Sequence, residues 1–251
     1  MDKSVRIEMA KARENMYRFL GCIYLMEVDA KQLSLIKKMN FPEITGTTDA
    51  DMDLQEGYTL IANFAANCKC EEKHVFPGWD MQAFSSPKDD YVSDLDDLAA
   101  DFAKVFLAAG DATGHAAFPY ESVYVDKRHQ VGGSTEMQMK ALYLERGFEP
   151  DPNMYHTMYD HVGLMMEYMG ILCGELAEAF ALDDNNKALE LLEEQKQFVR
   201  RHLVNWVYSF TSDIVKFSER DFYKGIAKIT NGFLKKEALL LQEGGKIWDI
   251  A

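Results

Sequence analysis

The chain has 251 residues, of which 47% are hydrophobic, so it can bury a sizeable core and need not be disordered. Its 41 acidic and 27 basic residues give a formal net charge of -14, which disfavours nucleic-acid phosphates and anionic lipids and favours cationic partners. No apolar run approaches the roughly 18 residues needed to span a bilayer. The sequence therefore predicts no nucleic-acid binding and no stable membrane insertion.

The first residues lead into a charged amphipathic segment that carries Glu8, Lys11, Arg13 and Glu14. This pattern is not that of a secretory signal, which would show a basic start and then an apolar stretch. Four cysteines are compatible with a reducing compartment. We therefore expect a cytoplasmic protein.

Apolar residues recur at helical spacing along most of the chain, and no segment shows the alternation of a strand. The predicted fold class is all-α. Serines are the predicted N-caps of three of the helices, with Asp221 completing a capping box for the last of them. The first predicted helix ends near Met26. The predicted helices that follow it cover, in chain order, Asp29–Met39, Asp51–Asn67, Ser93–Gly110, Ser134–Gly147, Tyr155–Leu182, Asn185–His202, Leu203–Lys216 and Ser218–Gln242.

Two long segments lack helical periodicity. Residues 68–91 form a polar stretch with Cys68, Cys70 and His74, and two loop thiols are the favoured interpretation because a zinc site would need a second pair of ligands. A structural zinc site is the alternative. Residues 110–133 carry the aromatic residues Phe118 and Tyr120, which argue against disorder in a loop of functional length.

Motifs of common enzymes are absent from the sequence. There is no phosphate loop, since Gly244-Gly245-Lys246 lacks the upstream glycine and the hydroxyl residue, and there is no zinc-protease helix or nucleophile elbow. We therefore expect neither catalysis nor a bound cofactor or metal. Two features remain unexplained: the loop at 118–124, and Asp160-His161 before a long apolar helix.

Asp160 and His161 have a structural and a functional interpretation. Asp160 at a helix start would complement the helix dipole, and its carboxylate would raise the proton affinity of His161 if the two hydrogen-bond. The loop at 118–124 would either plug the edge of the core or contribute to a binding surface. The residues alone leave both alternatives open.

The order and spacing of these motifs resemble the TorD/DmsD/NarJ family of redox-enzyme maturation chaperones. The similarity covers residues 101–110, the loop Phe118-Pro-Tyr-Glu-Ser-Val-Tyr124, the glycines at 132–133, the helix ending at Gly147, and Asp160-His161. The segments at 13–24, 198–206 and 222–234 resemble the family's first and last helices. The resemblance thus covers nearly the whole chain.

The resemblance implies a TorD/DmsD-like helical bundle that functions as a cytoplasmic chaperone and not as an enzyme. Its partner would be the twin-arginine signal peptide and the apo form of a molybdenum oxidoreductase catalytic subunit, held until the cofactor is inserted. A monomer or a domain-swapped dimer would fit the family. The residues expected to bind the peptide are Phe102, Phe106, Pro119, Tyr120, Glu121, Ser122, Tyr124, Asp160 and His161.

Two other functions remain as alternatives. A general helical scaffold would bind a partner helix without distinguishing arginine from lysine, and a metal-dependent hydrolase would use Asp160 and His161.

The domain organisation is a separate expectation. We expect a single domain over 1–251, with an N-terminal lobe at about 1–148, a C-terminal lobe at about 154–251 and a hinge near 149–153.

Overall fold

The computed structural model describes residues 1–68, 94–110, 115–151 and 157–250. Throughout these ranges the chain is built from helices, and no strand is present beyond one isolated antiparallel bridge between Tyr120 and His161. The predicted all-α class is confirmed. The helices are α1 (Lys3–Leu25), α2 (Ala30–Lys37), α3 (Asp49–Asn67), α4 (Asp94–Leu107), α5 (Glu121–Val125), α6 (Ser134–Glu145), α7 (Val162–Ala181), α8 (Asn185–Phe198), a π-helical turn (Val199–Leu203), α9 (Val207–Phe217), α10 (Asp221–Glu243) and a 3-10 turn (Gly244–Lys246).

Two of the predicted serine caps are wrong, and Ser93 lies outside the described residues. The N-cap of α6 is Gly133, whose φ of 88° suits glycine, and Ser134 is already helical. The N-cap of α10 is Arg220. Ser218 instead donates its hydroxyl to Asp101 Oδ2 at 2.6 Å, because α4 brings that carboxylate against the turn between α9 and α10.

The long apolar helix α7 begins at Val162, about seven residues later than the spacing predicts. Its N-cap, His161, has an extended backbone with φ -73° and ψ 131°. The backbone next to it pairs with the segment around Tyr120, and an amide used in that pairing is not available to a helix. Residues 155–156, the first two of the predicted helix, lie outside the described part of the chain.

Helix α7 is buried on nearly every side and packs along α1. The two backbones approach closely at Gly163, where a Cβ would lie 3.0 Å from the Gly21 carbonyl oxygen. Helices α3 and α10 form a second close pair, in which a Cβ at Gly57 would lie 2.8 Å from the Gly225 carbonyl oxygen. Glycines at these crossings allow a separation that any side chain would prevent.

Both helix pairs join segments from opposite sides of residues 149–153. Helices α1 and α3 precede that connector, whereas α7 and α10 follow it. The division into lobes at about 1–148 and 154–251 stays a prediction, and part of the predicted hinge lies outside the described residues. The extensive packing across the connector means that the core is shared by residues from both stretches.

The cysteines that the structure describes occupy varied environments. Cys173 in α7 is buried, Cys22 in α1 is half-buried, and Cys68 follows α3. Cys70 and His74 lie outside the described residues, so the zinc alternative at 68–91 stays a prediction. Among the residues described, no helix combines the length and apolarity required to cross a bilayer.

Candidate functional site

The structure brings together the two segments that the sequence singled out. Val162 N donates to the Pro119 carbonyl at 2.8 Å, and Glu121 N donates to the Asp160 carbonyl at 3.0 Å. These two bonds hold the residues before α5 against the residues before α7. The loop at 118–124 and Asp160-His161 are therefore one unit of structure, although 36 or more positions separate them in the chain.

Asp160 is fully buried, and its carboxylate hydrogen-bonds to α5 and not to α7. Its Oδ2 accepts a hydrogen bond from Ser122 N at 2.9 Å, within the first turn of α5. Its Oδ1 is buried and has no hydrogen-bond partner among the residues that the structure describes. The expectation that Asp160 complements the dipole of the long helix is replaced by this contact with the short one.

His161 is the N-cap of α7. Its Nδ1 accepts a hydrogen bond from Gly163 N at 3.0 Å, and its ring meets the Tyr120 ring edge-on at 5.1 Å. Burial lowers the pKa of His161 to about 3, so the imidazole is neutral at neutral pH. The prediction that Asp160 raises the proton affinity of His161 is wrong, because desolvation decides the direction.

Glu121, the other acid of the predicted site, is also buried, with 3% of its surface exposed. Its Oε2 lies 3.0 Å from His202 Nδ1, and Asn205 Nδ2 donates to its Oε1 at 3.4 Å. His202 and Asn205 follow α8 and were not among the predicted site residues. The sequence segment at 198–206 was singled out for its resemblance, but nothing in its spacing indicated a contact with Glu121.

The remaining loop residues hold α5 in place. Pro119 is buried, and Ser122 is buried with its Oγ accepting a hydrogen bond from Gly132 N at 2.9 Å. Tyr124 donates its hydroxyl to Asp213 Oδ2 at 3.1 Å and stacks on the Trp206 ring at 5.4 Å. These contacts fix the loop to α9 and to the turn before α6.

Tyr120 is half-buried, and its hydroxyl lies 3.1 Å from Thr157 Oγ1. Phe102 and Phe106 pack elsewhere, in the aromatic core: the Phe106 ring lies 5.5 Å from Tyr223 and 5.0 Å from Phe102. Both are nearly inaccessible, at 6% and 2% exposed. In this structure they support the fold and do not line an open groove.

An open cleft of about 400 Å³ lies between α6, α7 and the end of α8. His202 is part of its lining, so the residue that contacts Glu121 also faces the cleft. Arg146 on the cleft edge is already engaged, with Nη2 2.6 Å from Glu175 Oε2 and Nε 2.9 Å from Glu194 Oε1. The lining residues are Leu142, Glu145, Arg146, Tyr168, Glu194, Gln197, Phe198, Arg201 and His202.

The described residues offer little to a metal ion. No group of three or more histidine, cysteine or carboxylate side chains among them is arranged to hold one. At Asp160 and His161 in particular, Oδ2 and Nδ1 each already accept a backbone N–H. A hydrolase site at this pair gains no support from the geometry.

The family model of the nitrate reductase delta subunit matches residues 72–212, which is more than half of the chain. The chain belongs to this family, the TorD/NarJ family. The predicted resemblance is thereby confirmed. The matched region includes the loop at 118–124, Asp160-His161 and His202, so the whole candidate site lies inside it.

Several curated relatives carry the name chaperone protein TorD. The chain is 27% identical to that of Vibrio vulnificus strain YJ016 over 137 residues, which is 55% of this chain and 60% of that protein. It is 25% identical to that of Vibrio cholerae strain O395 over 210 residues, covering 83% of this chain and 89% of that protein. The match to Shewanella piezotolerans is 22% identical over 233 residues, covering 90% and 91%.

Proposed function

We propose that this chain is a cytoplasmic chaperone that binds the twin-arginine signal peptide of a molybdenum oxidoreductase and holds the apo catalytic subunit until its cofactor is inserted. Membership of the TorD/NarJ family and relatives named as chaperones support a role in maturation and not in catalysis. The client is the oxidoreductase whose signal peptide the chaperone binds. The chaperone acts as a monomer or a domain-swapped dimer.

The observation that carries the proposal is the position of Glu121 behind the cleft. Its buried carboxylate contacts His202, and His202 lines the cleft. A twin-arginine peptide presents guanidinium groups, and carboxylates accept two parallel hydrogen bonds from such a group. The cleft thus leads from solvent toward the kind of group that recognises arginine.

The cleft also offers apolar surface to the part of the peptide that follows the arginines. Leu142, Tyr168 and Phe198 line it: Leu142 is half-buried, whereas Tyr168 and Phe198 are only 2% and 3% exposed and form the floor, with ring centroids 4.9 Å apart. Glu145 and Glu194 place carboxylates in the same lining, but Arg146 and Arg201 balance their charge, and Glu194 is already paired with Arg146. An apolar floor in front of the buried Glu121 carboxylate matches a peptide that is cationic at one end and apolar at the other.

The predicted site residues divide into two roles under this proposal. Tyr120 and Tyr124 are half-buried and retain surface that a ligand can contact. Asp160, His161 and Ser122 are buried and position α5, and through it Glu121. Three of the nine predicted residues therefore act by holding the acid in place.

A synthetic peptide with two adjacent arginines followed by leucine and alanine tests the proposal, and a matched peptide with two lysines is the control. Calorimetric titration of the full chain should show preference for arginine, since lysine lacks the planar fork of donors. Affinity should fall with added salt yet not vanish, because charge pairs are screened over about 8–10 Å while apolar contacts are not. Equal affinity for both peptides would favour the general helical scaffold.

A further inference from the structure

Behind the cleft lies a buried acidic cluster, which we define as Glu121, Asp160 and the hydroxyl of Tyr143. Both carboxylates are nearly or fully inaccessible, at 3% and 0% exposed, and Tyr143 is also at 0%. Asp160 Oδ1 and the Tyr143 hydroxyl are buried with no hydrogen-bond partner among the described residues. Buried polar atoms are usually paired with a hydrogen-bond partner. Two buried atoms that lack a partner therefore call for an explanation, such as a functional role.

The Tyr143 hydroxyl lies close enough to both acids to be influenced by their charge. Burial raises the pKa of Tyr143 well above its ordinary value, and Tyr168, Glu121 and Asp160 raise it further. The hydroxyl therefore stays protonated and is a potential hydrogen-bond partner for a ligand or for a carboxylate. The cluster combines negative charge with atoms whose hydrogen-bonding capacity is unused.

His202 stands between this cluster and the cleft. Its Nδ1 lies 3.0 Å from Glu121 Oε2, while its ring packs on Phe198 at 5.3 Å and retains 15% side-chain exposure. An imidazole offers Glu121 one N–H at this position, whereas a guanidinium carries five donors in a planar fork. His202 thus offers Glu121 fewer hydrogen-bond donors than an arginine would.

The backbone at His202 is itself unusual. Residues Val199–Leu203 form a π-helical turn, in which Val204 N donates to the Val199 carbonyl at 3.0 Å. Trp206 Nε1 donates to the His202 carbonyl at 2.6 Å, so the backbone here is anchored independently of the imidazole. Such turns are rare and frequently occur at functional sites.

We propose that His202 is the displaceable partner of Glu121: it holds the carboxylate in the free chaperone, and a peptide guanidinium takes its place on binding. This inference rests on the proposed function and assigns the residue that controls access to the acid. The exchange favours arginine over lysine, because an ammonium group cannot present two parallel donors to one carboxylate. The cost of breaking the histidine contact lowers the affinity for every ligand that uses Glu121.

The consequence is an opposite effect of one substitution on stability and on binding. His202→Ala leaves Glu121 without that partner in the free protein, which destabilises the free state. Since the peptide then restores a partner to the carboxylate, binding becomes tighter. A side chain with a purely structural role would lower stability and weaken binding together.

The test is calorimetric titration with the two-arginine peptide, together with thermal melts, of the full-length wild type and three variants. We expect His202→Ala to melt at a lower temperature and to bind about tenfold more tightly, and Glu121→Gln to bind about tenfold more weakly. Arg200→Ala, an exposed change in the same turn and outside the cleft lining, should match the wild type.

Nuclear magnetic resonance of the wild type provides a second measurement that needs no variant. The imidazole nitrogen resonances of His202 should shift when the two-arginine peptide saturates the protein, because Nδ1 loses its acceptor. If the wild type binds the peptide while His202→Ala binds with equal or lower affinity, or the His202 resonances stay fixed, the displacement is wrong and the chaperone proposal stands. If neither the wild type nor any variant binds the peptide, both proposals are overturned.

Discussion

Arg13 on α1 and Glu237 on α10 form a buried ion pair, in which Nε donates to Oε1 at 2.8 Å and Nη2 donates to Oε2 at 2.8 Å. Their side chains are only 6% and 3% exposed. Tyr17 donates its hydroxyl to Glu237 Oε2 at 2.9 Å, and Gln195 Oε1 accepts from Arg13 Nη2 at 2.6 Å. One network thereby ties together α1, α8 and α10.

Glu237→Gln should lower the free energy of unfolding by about 3–5 kcal/mol, because it leaves a guanidinium buried without a counter-charge. Urea denaturation followed by circular dichroism measures the change. Glu243→Gln, at the exposed end of the same helix, is the matched control and should change stability little. A loss of less than about 1 kcal/mol at Glu237, the range of exposed ion pairs, would show that the pair is solvated.

The buried His161 predicts a specific loss of stability in acid. Its pKa in the folded protein, about 3, lies below the ordinary value of 6.5. The unfolded chain therefore binds a proton below pH 6.5 that the folded chain refuses, and stability falls as the pH drops from 6.5 toward 3. Between pH 7 and pH 5, this residue alone should remove about 2 kcal/mol.

His161→Asn isolates that contribution, since asparagine is a good N-cap and does not titrate. Urea denaturation at pH 7 and pH 5 should show that the free energy of unfolding falls less in the variant than in the wild type as the pH is lowered. Carboxylates elsewhere contribute to both proteins alike and cancel in the comparison. Equal losses in the two proteins would mean that His161 takes up its proton without unfolding.

Asp160 allows stability and binding to be separated by two substitutions. Asp160→Asn keeps an oxygen that can accept from Ser122 N, so it should stay close to wild-type stability. Asp160→Ala removes that acceptor and should cost about 1–3 kcal/mol of unfolding free energy. Thermal melts and urea titrations of both variants give the comparison, and equal destabilisation by the two would show that the charge is what matters to the fold.

We further expect Asp160→Asn to weaken binding of the two-arginine peptide by about 1–3 kcal/mol, the usual contribution of a hydrogen bond to a charged group. The reason is the loss of negative charge from the cluster behind His202. Calorimetric titration of the variant against the wild type measures it. Wild-type affinity in a folded Asp160→Asn protein would show that the charge of Asp160 does not contribute to peptide binding.

The crossing of α3 and α10 gives a prediction that depends on packing alone. Gly57→Ala would place a Cβ 2.7 Å from Ile229 Cγ1 and 2.8 Å from the Gly225 carbonyl oxygen, so the helices must separate. Denaturation should show a loss of about 1–3 kcal/mol. Gly174→Ala is the control, because its Cβ would meet the flexible Glu14 side chain at 3.2 Å; if both alanines are tolerated equally, the crossing is looser than described.

The periodicity of apolar residues determined most of the helical architecture without reference to tertiary contacts. The C-terminal ends of α1 and α3 fall within about one residue of the predicted ones, since both depend on local hydrogen bonds and on the turn chemistry next to the helix. The start of α7 does not, because the backbone before Val162 pairs with residues near Tyr120. A pairing between distant segments leaves no trace in the spacing of one of them.

The sequence also identified the family and placed the loop at 118–124 and Asp160-His161 among the residues of interest. It interpreted Arg13 as part of a charged amphipathic segment, whereas the structure buries it against Glu237. It did not connect His202 with Glu121, which lie 81 positions apart. Local patterns determine which residues can form a helix, but the environment of a charge depends on which helices meet around it, and only the tertiary structure decided that.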